Sequence, residues 1–183
     1  MKHLEKAELE AGLDHIRESP TDLGEIRLIV RRPSEGEREV VEEGQLDLKL
    51  GLVGDNWKSR GSSRTNDGFG HPEMQLNIIN ARCIELLAVE KIRWPLAGDQ
   101  FYIDLNLSDK NLPHGSRLRI GEAVVEITPI PQNGCKKFVE RFGMDAVKFV
   151  NSPIGKELHL RGVNAKVVKP GIVRVGDKAV KFS

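Results

Sequence analysis

The sequence lacks long apolar runs, an excess of either charge, and all but two cysteines, and each absence excludes a class of protein. No segment approaches the roughly 18 consecutive apolar residues that a membrane-spanning helix needs, so no transmembrane span is predicted. The 28 basic and 27 acidic side chains leave a net charge of +1. Such neutrality argues against a dedicated nucleic-acid binder, because those proteins usually carry a clear basic excess.

The two cysteines, Cys83 and Cys135, lie far apart in the sequence. The N-terminal segment is charged throughout and has no apolar core, so we expect no secretory signal peptide. Two thiols in a chain that is not exported are more often reduced than bridged. At 183 residues the chain can also bury a continuous core without a disulfide or a metal. We therefore expect a cytoplasmic protein with reduced cysteines.

Several well-known catalytic motifs are absent as well. The sequence contains no Gly-x-Ser-x-Gly elbow, no dinucleotide-binding fingerprint and no Walker spacing. His71, His114 and His159 are scattered, and no pair of histidines has the spacing of a zinc site. His71 alone borders a segment that we link to a site below.

The N-terminal segment predicts a short amphipathic helix. Its apolar residues recur at near-helical spacing, and the helix should end at Ser19 because Pro20 disfavours helix in the residue before it. We expect residues 1–20 to form a helical extension and residues 21–183 to form the main domain. We also expect the helix to be peripheral, so that removal of residues 1–19 leaves a cooperative thermal transition.

The rest of the chain is predicted to be mainly β. Apolar residues alternate over 46–52 and 101–107, which is typical of half-buried strands. Two glycine–acid turns, at Gly121 and Gly176, each predict a tight hairpin. Many short strands with two or three helices, including one over 81–89 capped by Asn80, favour an irregular β-barrel.

Cys135 is the main candidate for chemistry. It precedes a predicted helix over residues 138–150, so its thiol should feel the positive end of the helix dipole. Lys136 and Lys137 add nearby cations, and all of these features favour the thiolate, which attacks sulfur or binds metal. Gly134 has no side chain to shield the sulfur. The alternative is a buried structural cysteine, the common fate of free cysteines, and position alone leaves both open. Cys83, at helical spacing with apolar neighbours, is predicted to pack in the core.

The irregular segment 54–72 is the second candidate. Glycines and serines interleave there with three cations, Lys58, Arg60 and Arg64. Side-chain cations and free backbone N–H groups together suit a phosphate. A solvated flexible loop without any ligand is the competing interpretation. Asp55, directly after Gly54, is expected to cap a turn or to organise the loop.

Several segments, taken in order, resemble the MOSC domain, which is named after the C-terminal part of molybdenum cofactor sulfurases. The similar segments are residues 51–57, His71, 75–79, 104–107, 115–121, 128–138, 161–165 and 170–177. Each is modest alone, but their order and spacing fit together. The resemblance covers the chain from about Leu23 to the C-terminus.

This resemblance implies a barrel-like fold of the MOSC type with one characteristic cysteine, at the position of Cys135. That thiol would carry sulfur, or ligate the molybdenum of a bound molybdopterin cofactor, and the basic loop would face the cofactor's phosphate. The expected cofactor-binding residues are Gly54, Asp55, Lys58, Arg60, Arg64, His71, Asn106, Gly134, Lys136, Lys137 and Arg161. Many members have proline directly before the cysteine, where this chain has Gly134, so details of cofactor contact are expected to differ.

Three functions follow from the resemblance and from the residues. The first is a cofactor-binding or sulfur-carrying domain that acts in cofactor sulfuration. The pyridoxal-phosphate domain of large sulfurases is absent, so a separate cysteine desulfurase would donate the sulfur, and a molybdoenzyme is a further expected partner. The second is a molybdenum-dependent reductase of N-hydroxylated compounds with outside redox partners. The third is a non-catalytic binding domain. No nucleic acid or membrane is expected as a partner.

Overall fold

Short strands that alternate buried and exposed residues build a closed barrel in the computed structural model, which describes residues 3–182. The strands are β1 (Leu23–Arg31), β2 (Glu39–Val41), β3 (Glu43–Asp47), β4 (Gly51–Leu52), β5 (Leu76–Asn80), β6 (Phe101–Asp104), β7 (Arg117–Ile120), β8 (Ala123–Pro131), β9 (Val163–Lys169), β10 (Gly171–Arg174) and β11 (Lys178–Phe182). Seven of them close in the order β1, β11, β7, β8, β9, β5, β6, and β6 pairs back with β1. The prediction of a mainly β, barrel-like fold is confirmed.

The barrel interior is filled from alternate strand positions. On β7, Leu118 and Ile120 are buried whereas the residues between them are exposed. On β8, Val125 and Ile127 point to the same interior. Burial of each such aliphatic side chain contributes roughly 1.5–3 kcal/mol, so this core is the main stabilising feature of the barrel. Strand β2 pairs with β1 outside the closed ring. Strands β10, β3 and β4 form a separate three-stranded sheet.

Within residues 3–182, seven short α-helices surround the barrel. They are α1 (Lys6–Ala11), α2 (Leu13–Arg17), α3 (Trp57–Arg60), α4 (Ala81–Ala88), α5 (Lys136–Phe142), α6 (Met144–Asn151) and α7 (Pro153–Glu157), with 3₁₀ helices at Pro72–Met74 and Lys91–Ala97. A second apolar core lies between these helices and the barrel wall. The fully buried Tyr102 belongs to it, and its hydroxyl donates to the Trp94 carbonyl at 2.9 Å. Within residues 3–182 no helix has the length and apolar character needed to cross a membrane.

The N-terminal segment forms two helices, α1 and α2, where the sequence predicted one. The chain bends at Gly12, where an added Cβ would lie only 2.5 Å from a side-chain carbon of Leu86. Leu9 and Ile16 are 1% and 4% exposed and belong to the second core. The expectation of a peripheral helix does not fit this burial, although the division into an extension and a domain stays a prediction.

Two predicted strand patterns are corrected by the structure. Residues 46–52 form the end of β3, a turn and β4, because the Asp47 carboxylate accepts from the backbone N–H groups of Lys49 and Leu50 at 2.7 and 2.9 Å. Leu48, in that turn, is 51% exposed. The strand predicted over 101–107 ends at Asp104, as β6.

Of the two hairpins predicted at glycine turns, the structure contains the one at Gly121 but not the one at Gly176. Gly121 joins β7 and β8, which pair as predicted. Gly176 also has a positive φ, of 90°. The strands on either side of it nevertheless diverge, since β10 pairs with β3 whereas β11 pairs with β1 and β7. The second predicted hairpin is therefore wrong. The helix predicted after Cys135 is divided at Gly143, whose φ is 92°.

Candidate functional site

Cys135 occupies the N-cap position of α5. Its backbone is extended, with φ −120° and ψ −179°, and its carbonyl accepts from the N–H groups of Phe138 and Val139 at 2.9 and 3.1 Å. The thiol is free and exposed. Cys83, by contrast, is free but fully buried, and its thiol donates to the Leu160 carbonyl. Burial raises the pKa of the Cys83 thiol to about 12. The prediction that Cys83 packs in the core is confirmed. Of the two cysteines, Cys135 is therefore the one with an accessible thiol.

Gly134 serves a different purpose from the one that its lack of a side chain suggested. A Cβ at this position would lie 3.1 Å from Val150 and 3.4 Å from Asn151, both on α6. The Asn151 amide accepts from the Gly134 N–H at 3.0 Å and donates back to its carbonyl at 3.3 Å. The glycine therefore lets the loop before Cys135 pack closely on α6, and its open side is already filled by protein.

The two lysines beside Cys135 are both exposed. The Lys137 ammonium lies 3.5 Å from the Glu35 carboxylate, which offsets part of its charge. Contact between these two exposed side chains brings the start of α5 next to the loop that follows β1. Glu35 also lies within electrostatic range of Arg60. The start of α5 is thus linked through Glu35 to the basic segment around Arg60.

Arginines hold α5 against the segment 96–99 of the chain. Three consecutive backbone carbonyls accept from three different guanidinium groups: Leu96 from Arg141 at 2.7 Å, Ala97 from Arg161 at 3.1 Å and Gly98 from Arg32 at 3.0 Å. Arg141 is itself part of α5, and Arg161 stacks 5.0 Å from the centre of the Phe138 ring on the same helix. These contacts fix the helix on which Cys135 is the N-cap.

Arg161 and Asp99 form a buried ion pair behind α5. The Asp99 side chain is fully buried, and the Arg161 Nη1 lies 3.1 and 2.8 Å from its two oxygens. Burial raises the pKa of Asp99, and the charge of Arg161 opposes that change. Arg161 was predicted to contact a cofactor directly. Its guanidinium already has partners at Nη1 and Nη2, so its described contacts support Phe138 and the segment 97–99.

A second buried ion pair joins Arg32 to Asp55. Arg32 donates from Nε and Nη2 at 2.8 and 2.7 Å, and the Asp55 carboxylate is fully buried. The same carboxylate accepts from the N–H of Trp57 and from the amide of Gln100. Asp55 was predicted among the cofactor-binding residues, but with its oxygens buried and bonded it instead organises the start of the basic loop. Gly54 before it has a φ of 87° and abuts Arg31.

Near the Arg32 pair lie three further arginines without carboxylate partners among residues 3–182. Desolvation and the charges of Arg141 and Arg32 lower the pKa of Arg38, and desolvation and the charge of Arg32 also lower that of Arg60. Within residues 3–182, no carboxylate lies at ion-pair distance from Arg38, Arg60 or Arg141. We call these three residues, with Arg32, the arginine cluster. Mutual repulsion between cations is relieved when an anion lies among them, so the cluster suits a phosphate.

The other residues predicted for the site lie in local roles. Lys58 and Arg64 are exposed, and none of the described residues forms an ion pair with them. The His71 ring nitrogen Nδ1 accepts from the Glu73 N–H and caps a 3₁₀ helix. The Asn106 side chain accepts from the Ser108 N–H within its own loop. Of the predicted basic residues in segment 54–72, Arg60 alone is placed by the structure in the arginine cluster.

Three members of that cluster were missed by sequence reasoning. Arg32 and Arg38 lie in the loop after β1, and Arg141 lies on α5. No motif joins positions so far apart. The only signal available was the adjacent pair Arg31-Arg32 before Pro33 at the end of an apolar strand. A charged pair in that place is equally typical of a solvated strand end.

A closed mixed β-barrel with an exposed cysteine at a helix start, beside a cluster of arginines, defines the class of this protein. A family model described as the MOSC domain matches residues 65–180, and the chain belongs to that family. No curated protein matches the sequence.

Solved structures share the fold. One is described as a hypothetical protein, with a TM-score of 0.61 and 21% identity, over 92% of this chain and 71% of that one. YuaD from Bacillus subtilis has a TM-score of 0.59 and 15% identity, over 88% of this chain and 97% of its own. YiiM from Escherichia coli has a TM-score of 0.56 and 22% identity, over 87% and 70%. At these identities the likeness establishes the fold.

Proposed function

We propose that this protein binds the molybdenum cofactor and carries sulfur or ligates molybdenum through Cys135. The observation that carries the proposal is the exposed thiol of Cys135 at the start of α5, a helix that the contact of Lys137 with Glu35 links to the region of Arg60, which lacks a carboxylate partner among the described residues. Family membership supports the proposal, because MOSC domains are associated with this cofactor. The free state of both cysteines fits the reducing cytoplasm that we propose as its compartment.

The residues present fit such a group. The cofactor's pterin carries an anionic phosphate, and the Nε of Arg38 is buried with no partner among the described residues. Arg60 lies within electrostatic reach of Arg38, and guanidinium groups are the cationic N–H donors that phosphate favours. A thiolate is a soft ligand suited to a metal of this kind. When bound, the metal would supply redox and atom-transfer chemistry.

Each residue then has a defined task. Arg38 and Arg60 would hold the phosphate, and Cys135 would meet the metal or the sulfur to be transferred. Arg161, through its stacking on Phe138, would keep the first turn of α5 in place.

Sulfur transfer requires a donor, which we propose to be the persulfide of a separate cysteine desulfurase. The thiolate of Cys135 attacks the terminal sulfur of that persulfide. A sulfur–sulfur bond to Cys135 forms as the bond to the donor cysteine breaks, and the donor departs as a thiolate. No net oxidant is consumed in this exchange, so the exposed position of Cys135 is the main structural requirement.

Mass spectrometry of the intact native protein, made in a host that synthesises the cofactor, tests the proposal. We expect a bound pterin or a persulfide on Cys135, and we expect both to disappear in Cys135→Ser. Cys83→Ala is the matched control. Because the Cys83 thiol is buried, this variant should keep the bound pterin or the persulfide of the wild type. Arg60→Gln should lower molybdenum content severalfold, whereas Arg119→Gln, an exposed arginine on β7, should not. Equal loading of wild type and Cys135→Ser, or no pterin, metal or persulfide in either, would leave a non-catalytic binding domain as the better description.

A further inference from the structure

A cleft of about 450 Å³ opens beside the end of β8. Residues 127–133, at the end of β8 and in the loop beyond it, line one side of it. This is the stretch where β8 departs from its pairing with β9, since the register shifts between Ile127 and Pro131. The lining thus runs to Asn133, two residues before Cys135. Two residues span at most about 7 Å, so the backbone of Cys135 lies within that distance of a residue that lines the cleft.

The lining of the cleft is mixed, and its apolar part includes Ile127, Ile130, Val150 and Val163. A volume of this size lies in the range of small-molecule sites, which combine apolar surface with polar groups that fix orientation. The apolar part of the lining therefore favours an organic molecule with an apolar body over a bare inorganic ion.

The rim of the cleft carries charges of both signs. The Asp109 carboxylate lines it and has its Oδ1 3.0 Å from the Nε2 of His159. Arg161 is offset by the buried Asp99. Lys156 lines the cleft, is exposed, and has no ion-pair partner among residues 3–182. Lys156 is therefore the cation at the rim that can pair with the carboxylate of a bound molecule.

We infer that this cleft binds a small organic anion, an apolar molecule with one carboxylate, as the substrate that Cys135 and its cofactor act on. The apolar body would lie on Ile130 and Val163, and the carboxylate would meet Lys156. The assignment as a substrate rests on the proposed function. The binding itself depends only on the cleft, which the protein carries without any cofactor.

Benzoate and its neutral analogue benzamide are suitable probes for the cofactor-free protein. Chemical-shift mapping on the backbone amides should show benzoate perturbing Gly155 and Gly162, both of which line the cleft. Benzoate should bind more tightly than benzamide by about 3- to 10-fold, the range expected for one partly exposed charged contact. Lys156→Gln should abolish that preference. Lys169→Gln removes an equal charge at the far end of β9, about 20 Å from Val163, and should leave it unchanged.

A second measurement connects the cleft with Cys135. A benzoate concentration that just saturates the wild type should slow the alkylation of its Cys135 by iodoacetamide. The same concentration should have a smaller effect in Lys156→Gln, because less of that variant is occupied. Equal affinity for the two probes, or perturbations located elsewhere, would overturn the cleft as an anion site. Binding in the cleft without any effect on alkylation would overturn its assignment to Cys135. Because both measurements use protein without cofactor, they can succeed even if the cofactor proposal fails, and the reverse also holds.

Discussion

The buried pair of Arg32 and Asp55 supports the arginine cluster. The variant Asp55→Ala tests how much this pair contributes to the free energy of unfolding. The Asp55 carboxylate is fully buried and Arg32 is only 4% exposed. Besides its two bonds from the guanidinium, the carboxylate accepts from the Arg32 and Trp57 N–H groups at 2.9 and 3.0 Å. Replacement by alanine leaves all of these donors, and the charge of Arg32, without a partner in the interior.

The expected cost follows from this burial. Removal of one partner from a buried ion pair destabilises a protein by about 3–5 kcal/mol, because the remaining charge is buried and uncompensated. For a domain of this size that corresponds to a fall in melting temperature of roughly 6–20 °C. The exposed pair of Arg31 and Glu39, with side chains 33% and 47% exposed, is the comparison. Such pairs contribute about 0.2–1 kcal/mol.

Urea unfolding of Asp55→Ala and Glu39→Ala, followed by circular dichroism, measures both values. The midpoint should fall strongly for the first variant and little for the second, with a similar slope for each. The double variant with Arg32→Met and Asp55→Leu should recover part of the loss, because it leaves no charge buried. A loss below about 1 kcal/mol for Asp55→Ala would refute the reasoning, since it would mean that water or another group readily replaces the carboxylate.

Two further predictions concern stability. Because burial raises the pKa of Cys83 from an ordinary 9.0 to about 12, the unfolded thiol ionises first, and the free energy of unfolding should fall between pH 9 and 12 by about 1.4 kcal/mol per pH unit. Cys83→Ala should remove that contribution, and an unchanged pH dependence in urea titrations would contradict it. Leu9→Ala should cost about 2–5 kcal/mol, since Leu9 is 1% exposed, whereas Leu23→Ala, at a position 56% exposed, should cost less than about 0.5 kcal/mol. Equal costs would show that the N-terminal helices add nothing to the fold.

Local patterns predicted the barrel well, because alternation of apolar residues reports directly on which side of a strand is buried. The same rule failed over residues 46–52, where Asp47 bonds to the backbone two and three residues ahead. Such a bond competes with the strand and leaves Leu48 exposed. The turn at Gly176 was recognised from its glycine, but strand pairing on either side depends on distant partners. The local sequence pattern therefore does not predict which strands pair.

The site was predictable only in part, for a related physical reason. Cys135 could be identified because the glycine before it and the lysines after it are adjacent to it in sequence. The arginine cluster could not, because tertiary contact alone brings Arg38 and Arg141 beside Arg32. The packing of Gly134 on α6 was not predicted, because a missing side chain does not reveal which neighbour takes its place, here Val150.

The number of strands in the barrel has a consequence for the site. Directions cannot alternate all the way round a ring of seven, so an odd closed sheet must contain at least one neighbouring pair that runs the same way. Here that pair is β5 and β6, and strands of like direction need a long connection that returns to the starting end. The connection runs from α4 through the 3₁₀ helix Lys91–Ala97. The last carbonyls of that 3₁₀ helix accept hydrogen bonds from Arg141 and Arg161. A relative with one barrel strand more or fewer could be wholly antiparallel. It would then not need the long connection between β5 and β6, the segment against which the cysteine-bearing helix packs.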